Sequence, residues 1–177
     1  DFGRLPGGYG WVFPKAEHLN IGLGGWRYLG PTLKNHLCKL VRFHGFDPNS
    51  LWGIRGHHLP MRQAGSEIVS DNVVVVGDAA GLIDPLTGEG IYASFWSGTM
   101  AAKHIAAFLD GEEPNLEGYR LDVERGLLPE LKISRQLHDI SHLWPSLFVE
   151  IERRTSVLWS AVEMLLRGEW TYLTAKN

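Results

Sequence analysis

The chain has 177 residues, with 20 acidic and 17 basic side chains and a net charge of −3 when histidine is neutral. That balance, with no basic stripe of interleaved aromatics, excludes a nucleic-acid footprint, and a single cysteine, Cys38, excludes an internal disulfide framework. No signal peptide is recognisable and no apolar run is long enough to span a bilayer, so the expected location is cytoplasmic. The seven tryptophans, among them Trp144, Trp159 and Trp170 near the C-terminus, leave peripheral membrane contact open beside ordinary core packing.

The first periodic stretch is 7–14, Gly-Gly-Tyr-Gly-Trp-Val-Phe-Pro. Small and aromatic residues alternate and stop at Pro14, which predicts a strand. Residues 15–18 make a turn, and 18–24 return as a second strand. The two-residue period puts Tyr9, Trp11 and Phe13 on one face of this hairpin. Pro31 opens a helix, Leu33, Leu37, Leu40 and Val41 give its apolar face, and Gly45 ends it. Residues 52–59 predict a further strand. His57 and His58 are adjacent there and point to opposite faces, so they cannot chelate one ion, and no metal site is expected.

The stretch 73–91 organises the rest. Four valines, Val73 to Val76, predict a short strand buried on both faces. Gly77 and Asp78 stop it. A small-residue loop with Pro85 follows, and Gly88-Glu89-Gly90 leads into a helix over 91–109. Asp78 at a strand tip presents a carboxylate to ligand hydroxyls. Gly88 and Gly90 let backbone N–H groups approach a ligand. The helix that starts there favours an anion at its N-terminus. Its stripe of Ile91, Phe95, Gly98, Ala102, Ile105 and Leu109 is expected to pack on the sheet. Residues 110–114 are a stop. One long helix is predicted over 116–140, then one or two more over 144–149 and 155–166, capped by Gly168.

The run Gly-Asp-Ala-Ala, then Pro, then Gly-x-Gly-Ile resembles the second flavin motif of FAD-dependent oxidoreductases of the hydroxybenzoate-hydroxylase type. The wording over 84–92, Asp-Pro-Leu-Thr-Gly-Glu-Gly-Ile-Tyr, is most similar to the geranylgeranyl reductase branch. The Tyr-Gly-Trp-Val-Phe-Pro hairpin, followed by an Asn-x-Gly-x-Gly strand, is similar to the substrate-domain hairpin of that branch. The resemblance implies that Asp78 binds the ribityl chain of FAD and that Gly77, Pro85, Gly88, Glu89, Gly90 and Ile91 shape the contact with the flavin ring edge. It implies that Tyr9, Trp11 and Phe13 lie near flavin and prenyl chain, although a structural aromatic ladder would read the same. It also implies that the run 56–60 returns towards the flavin domain, which makes Pro60 and Arg62 cleft candidates. No catalytic proton donor is identified, and Tyr9 is the candidate retained.

The implied fold class is α+β. It comprises a small, mainly antiparallel substrate-domain sheet (1–70), one strand–helix unit of an FAD domain (71–110) and a helical C-terminal region (111–177). The implied activity is FAD-dependent reduction of carbon–carbon double bonds in a geranylgeranyl-type chain, with NAD(P)H or ferredoxin as external electron donor. A flavin monooxygenase or halogenase, or a non-catalytic substrate-binding module, are the rivals. No Gly-x-Gly-x-x-Gly fingerprint is present and the chain opens on Asp1, so a C-terminal fragment of a longer enzyme is expected. Such a piece should hold FAD poorly and cover the apolar surface beside Val73–76 by self-association or another chain.

Overall fold

The computed structural model describes residue 5, residues 7–166 and residues 169–173, so the cap expected at Gly168 lies outside the described residues. Helices and small antiparallel sheets make an α+β fold, as expected. The chain divides into two compact units, Asp1–His58 and Leu59–Asn177.

In the first unit β1 (Tyr9–Pro14) pairs antiparallel with β2 (Leu19–Gly24), in the register Trp11↔Gly22 and Phe13↔Asn20. The Lys15 N–H bonds to the His18 carbonyl at 2.8 Å and closes the turn. Gly10 lacks a Cβ where Leu40 of α1 (Leu33–Phe43) packs, so the helix sits close on the hairpin. A 3-10 turn, Arg27–Thr32, precedes that helix and contains Pro31. Gly45, at φ +82°, ends it in a left-handed C-cap: Gly45 N–H bonds to Arg42 and Phe46 N–H to Val41. The strand expected over 52–59 does not form. Trp52, Ile54 and Leu59 are exposed, and no strand among the described residues offers this run a ladder partner.

In the second unit β3 (Val69–Ser70) and β4 (Val73–Val74) form a minimal hairpin about Asp71, which takes φ +49°. The valine run is therefore not a strand buried on both faces. It pairs on one edge only, and Val73 is 62% exposed. Five helices follow: α2 (Ile91–Leu109), α3 (Glu117–Gly126), α4 (Leu128–Leu143), α5 (Pro145–Thr155) and α6 (Val157–Leu166). The single helix expected over 116–140 is two, because Pro129 lacks an N–H and is tolerated only in a first turn. Ser156, at φ +47°, separates the last two helices.

The core gathers Ile68, Ala80, Leu82, Ala93, Ala101, Tyr119, Val123 and Leu127. Tyr119 is fully buried and donates its hydroxyl to the Val75 carbonyl at 2.8 Å, which satisfies the end of the valine run. The face of α2 that faces this core is Ala93, Ser97, Ala101 and His104. This corrects the expected stripe: Phe95 is 76% exposed, and Ile91 and Leu109 are exposed with it. Small residues let the helix approach the 77–80 turn closely, whereas the bulky stripe could not.

Candidate functional site: the 77–91 loop

The valine run ends in a 3-10 turn, Gly77–Ala80. Gly77 takes φ +55°, and a Cβ there would lie 2.5 Å from Ser94 Oγ, so two independent constraints require glycine. Its N–H bonds to the buried Ser97 hydroxyl at 3.0 Å, and that hydroxyl donates to the Ala93 carbonyl at 2.6 Å. These bonds dock the turn on the first two turns of α2. Asp78 is exposed, and its carboxylate has no hydrogen-bond partner among the described residues. It lies against the α-carbon of Gly90, in the space a Cβ would fill. Gly77, Asp78 and Gly90 thus meet at the start of α2.

The rest of the loop is built on Asp84. Its Oδ1 accepts from Leu86 N–H at 3.0 Å, Thr87 N–H at 2.8 Å and the Thr87 hydroxyl at 3.0 Å. Its backbone bonds to Glu89 and Gly88, and Pro85 is buried beside it. Gly88 has φ +72°, but its N–H is committed to the Asp84 carbonyl rather than open to a ligand. The Glu89 carboxylate accepts from Ile91 N–H and, at 3.1 Å, from Tyr92 N–H. The N-terminus of α2 therefore already carries a carboxylate, as its dipole favours. Arg62, retained as a cleft candidate, holds the carbonyls of Ala80 and Ser66 instead. Pro60 is exposed.

Tyr9, Trp11 and Phe13 share one hairpin face, with ring centroids 6.0 and 6.2 Å apart in succession. The Trp11 indole covers Gly22 on the opposite strand, and its N–H bonds to Asn20 at 2.8 Å. Those contacts by themselves account for Trp11 as a cross-strand partner. Among the described residues no cluster of histidine, cysteine and carboxylates could hold a metal ion, and no helix is long and apolar enough to cross a membrane.

No family model matches the chain. A geranylgeranyl diphosphate reductase from Rhodobacter capsulatus is 34% identical over 113 residues, which cover 63% of this chain and 29% of that protein. A digeranylgeranylglycerophospholipid reductase from Methanococcus aeolicus is 37% identical over 156 residues, 79% of this chain and 39% of that protein. The crystal structure of a geranylgeranyl bacteriochlorophyll reductase-like protein from Thermoplasma acidophilum superposes with a TM-score of 0.62 at 26% identity, over 77% of this chain and 36% of that one. The chain is a partial-length relative of the geranylgeranyl reductases. It spans about a third of the length of the curated relatives it matches.

In this geranylgeranyl reductase relative the loop fits a polyhydroxylated cofactor in one respect and qualifies the expectation in another. Asp78 offers an exposed acceptor at the mouth of the turn, suited to sugar-like hydroxyls. The first amides of α2 are held by Glu89. Reading the sequence missed the groups behind the loop: Ser97, Asp84 as its organiser, Ser134 of α4, whose hydroxyl accepts Leu86 N–H at 3.0 Å, and Tyr172. The Asp-x-x-Thr spacing of Asp84 and Thr87 is a local turn signal that could have shown the second of these. Burial and the adjacent Asp84 carboxylate push the Tyr172 hydroxyl pKa well above its ordinary value.

Proposed function

We propose that this chain forms the ribityl- and ring-edge part of an FAD-dependent reductase that saturates carbon–carbon double bonds of a geranylgeranyl-type prenyl chain. The observation that carries the reading is the meeting of Gly77, Asp78 and Gly90 at the start of α2, where an exposed carboxylate has no hydrogen-bond partner among the described residues. Relatives named as reductases of geranylgeranyl groups support the substrate class. In this reading residues 1–70 serve the substrate, 71–110 the cofactor, and 111–177 form a helical region. FAD, when bound, supplies hydride to one alkene carbon, after reduction by a donor such as NAD(P)H or ferredoxin. Asp78 accepts hydrogen bonds from ribityl hydroxyls. Gly88, Glu89, Gly90 and Ile91, with Pro85 fixing the loop, set the positive end of α2 toward the ring edge. Tyr9, Trp11 and Phe13 offer an apolar face to the prenyl chain, and the Tyr9 hydroxyl is the candidate to deliver the proton an alkene reduction also needs.

Two substitutions in the native full-length protein test this. Asp78→Ala should weaken FAD binding by about 1–3 kcal/mol, the range for losing a charged hydrogen-bond partner. Flavin fluorescence titration measures it, and unchanged affinity would remove Asp78 from the site. Trp11→Ala should lower prenyl turnover by about tenfold or more, from the apolar area lost, with flavin content near normal. Absence of any soluble flavoprotein would instead leave Trp11 as a hairpin ladder residue.

A further inference from the structure

We infer that two buried serines, Ser97 of α2 and Ser134 of α4, are the positioning residues of the 77–91 loop: each accepts one backbone N–H from it, one in either half. Both side chains sit inside a helix and belong to residues that are 0% exposed. Serine is a poor choice there. Its hydroxyl competes with the helix backbone, and a buried hydroxyl costs free energy unless it is bonded. Alanine forms helix better and has no polar atom to desolvate. The hydroxyls are explained by the amides they accept. Ser97 Oγ takes the Gly77 N–H at 3.0 Å, and Ser134 Oγ takes the Leu86 N–H at 3.0 Å. The partners are 20 and 48 positions apart in the chain, so neither bond is a local turn contact.

The two anchors differ in strength. Ser97 gives its own proton to the Ala93 carbonyl at 2.6 Å, which fixes the hydroxyl and leaves its lone pairs to Gly77. The Gly77 N–H has no other acceptor among the described residues. The Leu86 N–H is shared, because Asp84 Oδ1 also takes it at 3.0 Å. Each anchor governs one part of the site. Ser97 sets where the turn that carries Asp78 meets α2. Ser134 pins the Asp84 turn, whose backbone bonds to Gly88 and Glu89 lead the chain back to Gly90 and the helix start. The distance from Asp78 to the first residues of α2 is therefore held from two helices. That this loop serves a cofactor rests on the proposed function; that the two serines fix it does not.

Ser97→Ala and Ser134→Ala in the full chain test the inference without any flavin. Each removes one oxygen and leaves almost no cavity. In amide NMR spectra the Gly77 proton should move upfield in Ser97→Ala and the Leu86 proton in Ser134→Ala, each leaving the other in place. Gly77 exchange with solvent should accelerate by about tenfold to a hundredfold, since its buried N–H is left without an acceptor. Leu86 exchange should accelerate by only about threefold, since Asp84 still holds it. Amides that stay in place, or two variants that disturb both amides alike, would overturn the inference. In the native full-length protein FAD binding should weaken by about tenfold in Ser97→Ala and about threefold in Ser134→Ala, with the KM for the prenyl substrate unchanged. FAD affinity unaltered in both, while Asp78→Ala lowers it, would overturn the positioning role. Failure of the flavin reading itself would show in Asp78→Ala alone, which leaves both serine bonds intact.

Discussion

Gly81→Ala is expected to destabilise the second unit by about 2–4 kcal/mol. Gly81 closes the turn that carries Asp78 and takes φ +71°. An L residue in that region costs about 1–2 kcal/mol. The added methyl also has nowhere to go: it would lie 2.7 Å from the Arg62 nitrogen, 2.8 Å from its α-carbon and 3.1 Å from the Met61 carbonyl carbon. These are backbone atoms, held by the Arg62 N–H to Gly81 carbonyl bond at 2.9 Å and by the Met61↔Leu82 bridge. A flexible side chain could yield; a paired backbone cannot without breaking its pairing. Gly111→Ala is the control. It shares the positive φ, at +76°, but its methyl meets open space, so it should show the conformational cost alone. Urea melts of the two variants measure the difference. Equal losses would show that the contact with residues 61–62 is unimportant.

His104→Leu should cost about 2–3 kcal/mol at acidic pH and progressively less as pH rises. The ring is 5% exposed and lies between two carboxylates. Nδ1 is 2.9 Å from both oxygens of Glu113, and Nε2 is 2.9 Å from Asp122. Carboxylates only accept, so both ring nitrogens donate and the ring is an imidazolium. Burial disfavours that charge, but the hydrogen bonds to Asp122 and Glu113 together outweigh it and hold the pKa above the ordinary 6.5. The sign follows from linkage. A raised folded pKa contributes stability that is fully present below 6.5 and is lost as pH climbs through the folded value. The two carboxylates are 30% and 33% exposed, so water screens part of the pairing and the loss is smaller than for a fully buried pair. Parallel denaturation of wild type and variant at about pH 5.5 and about pH 8.5 isolates the His104 contribution from the other histidines. A gap between the two proteins that does not narrow with rising pH would refute the clamp.

Much of the site was legible because its causes are local. Gly77, Asp78 and the glycines at 88 and 90 announce a tight turn and a helix start, and those two form at those positions, whereas the strand before them ends already at Val74. Alternation from Tyr9 to Phe13 depends on the chain's own two-residue period, and the three rings do share a face. Gly45 ends α1 because its own φ preference allows the left-handed cap.

What the residues could not settle is which partner each surface meets. Helix α2 is apolar on nearly every side, so its periodicity contains two plausible inner faces. The arrival of Gly77 against Ser94 and Ser97 selects the small one and leaves Phe95 outside. The 52–59 run has strand composition, but a strand also needs a neighbour to take its backbone bonds, and composition does not supply one. Asp84 and Ser134 lie far apart in the chain and meet at the Leu86 amide only because α4 packs there. Turn, cap and register follow from short-range sterics and were set by the amino-acid order. The buried face of a helix, the pairing of a strand and the support behind a loop depend on long-range contacts, and tertiary packing alone decided them.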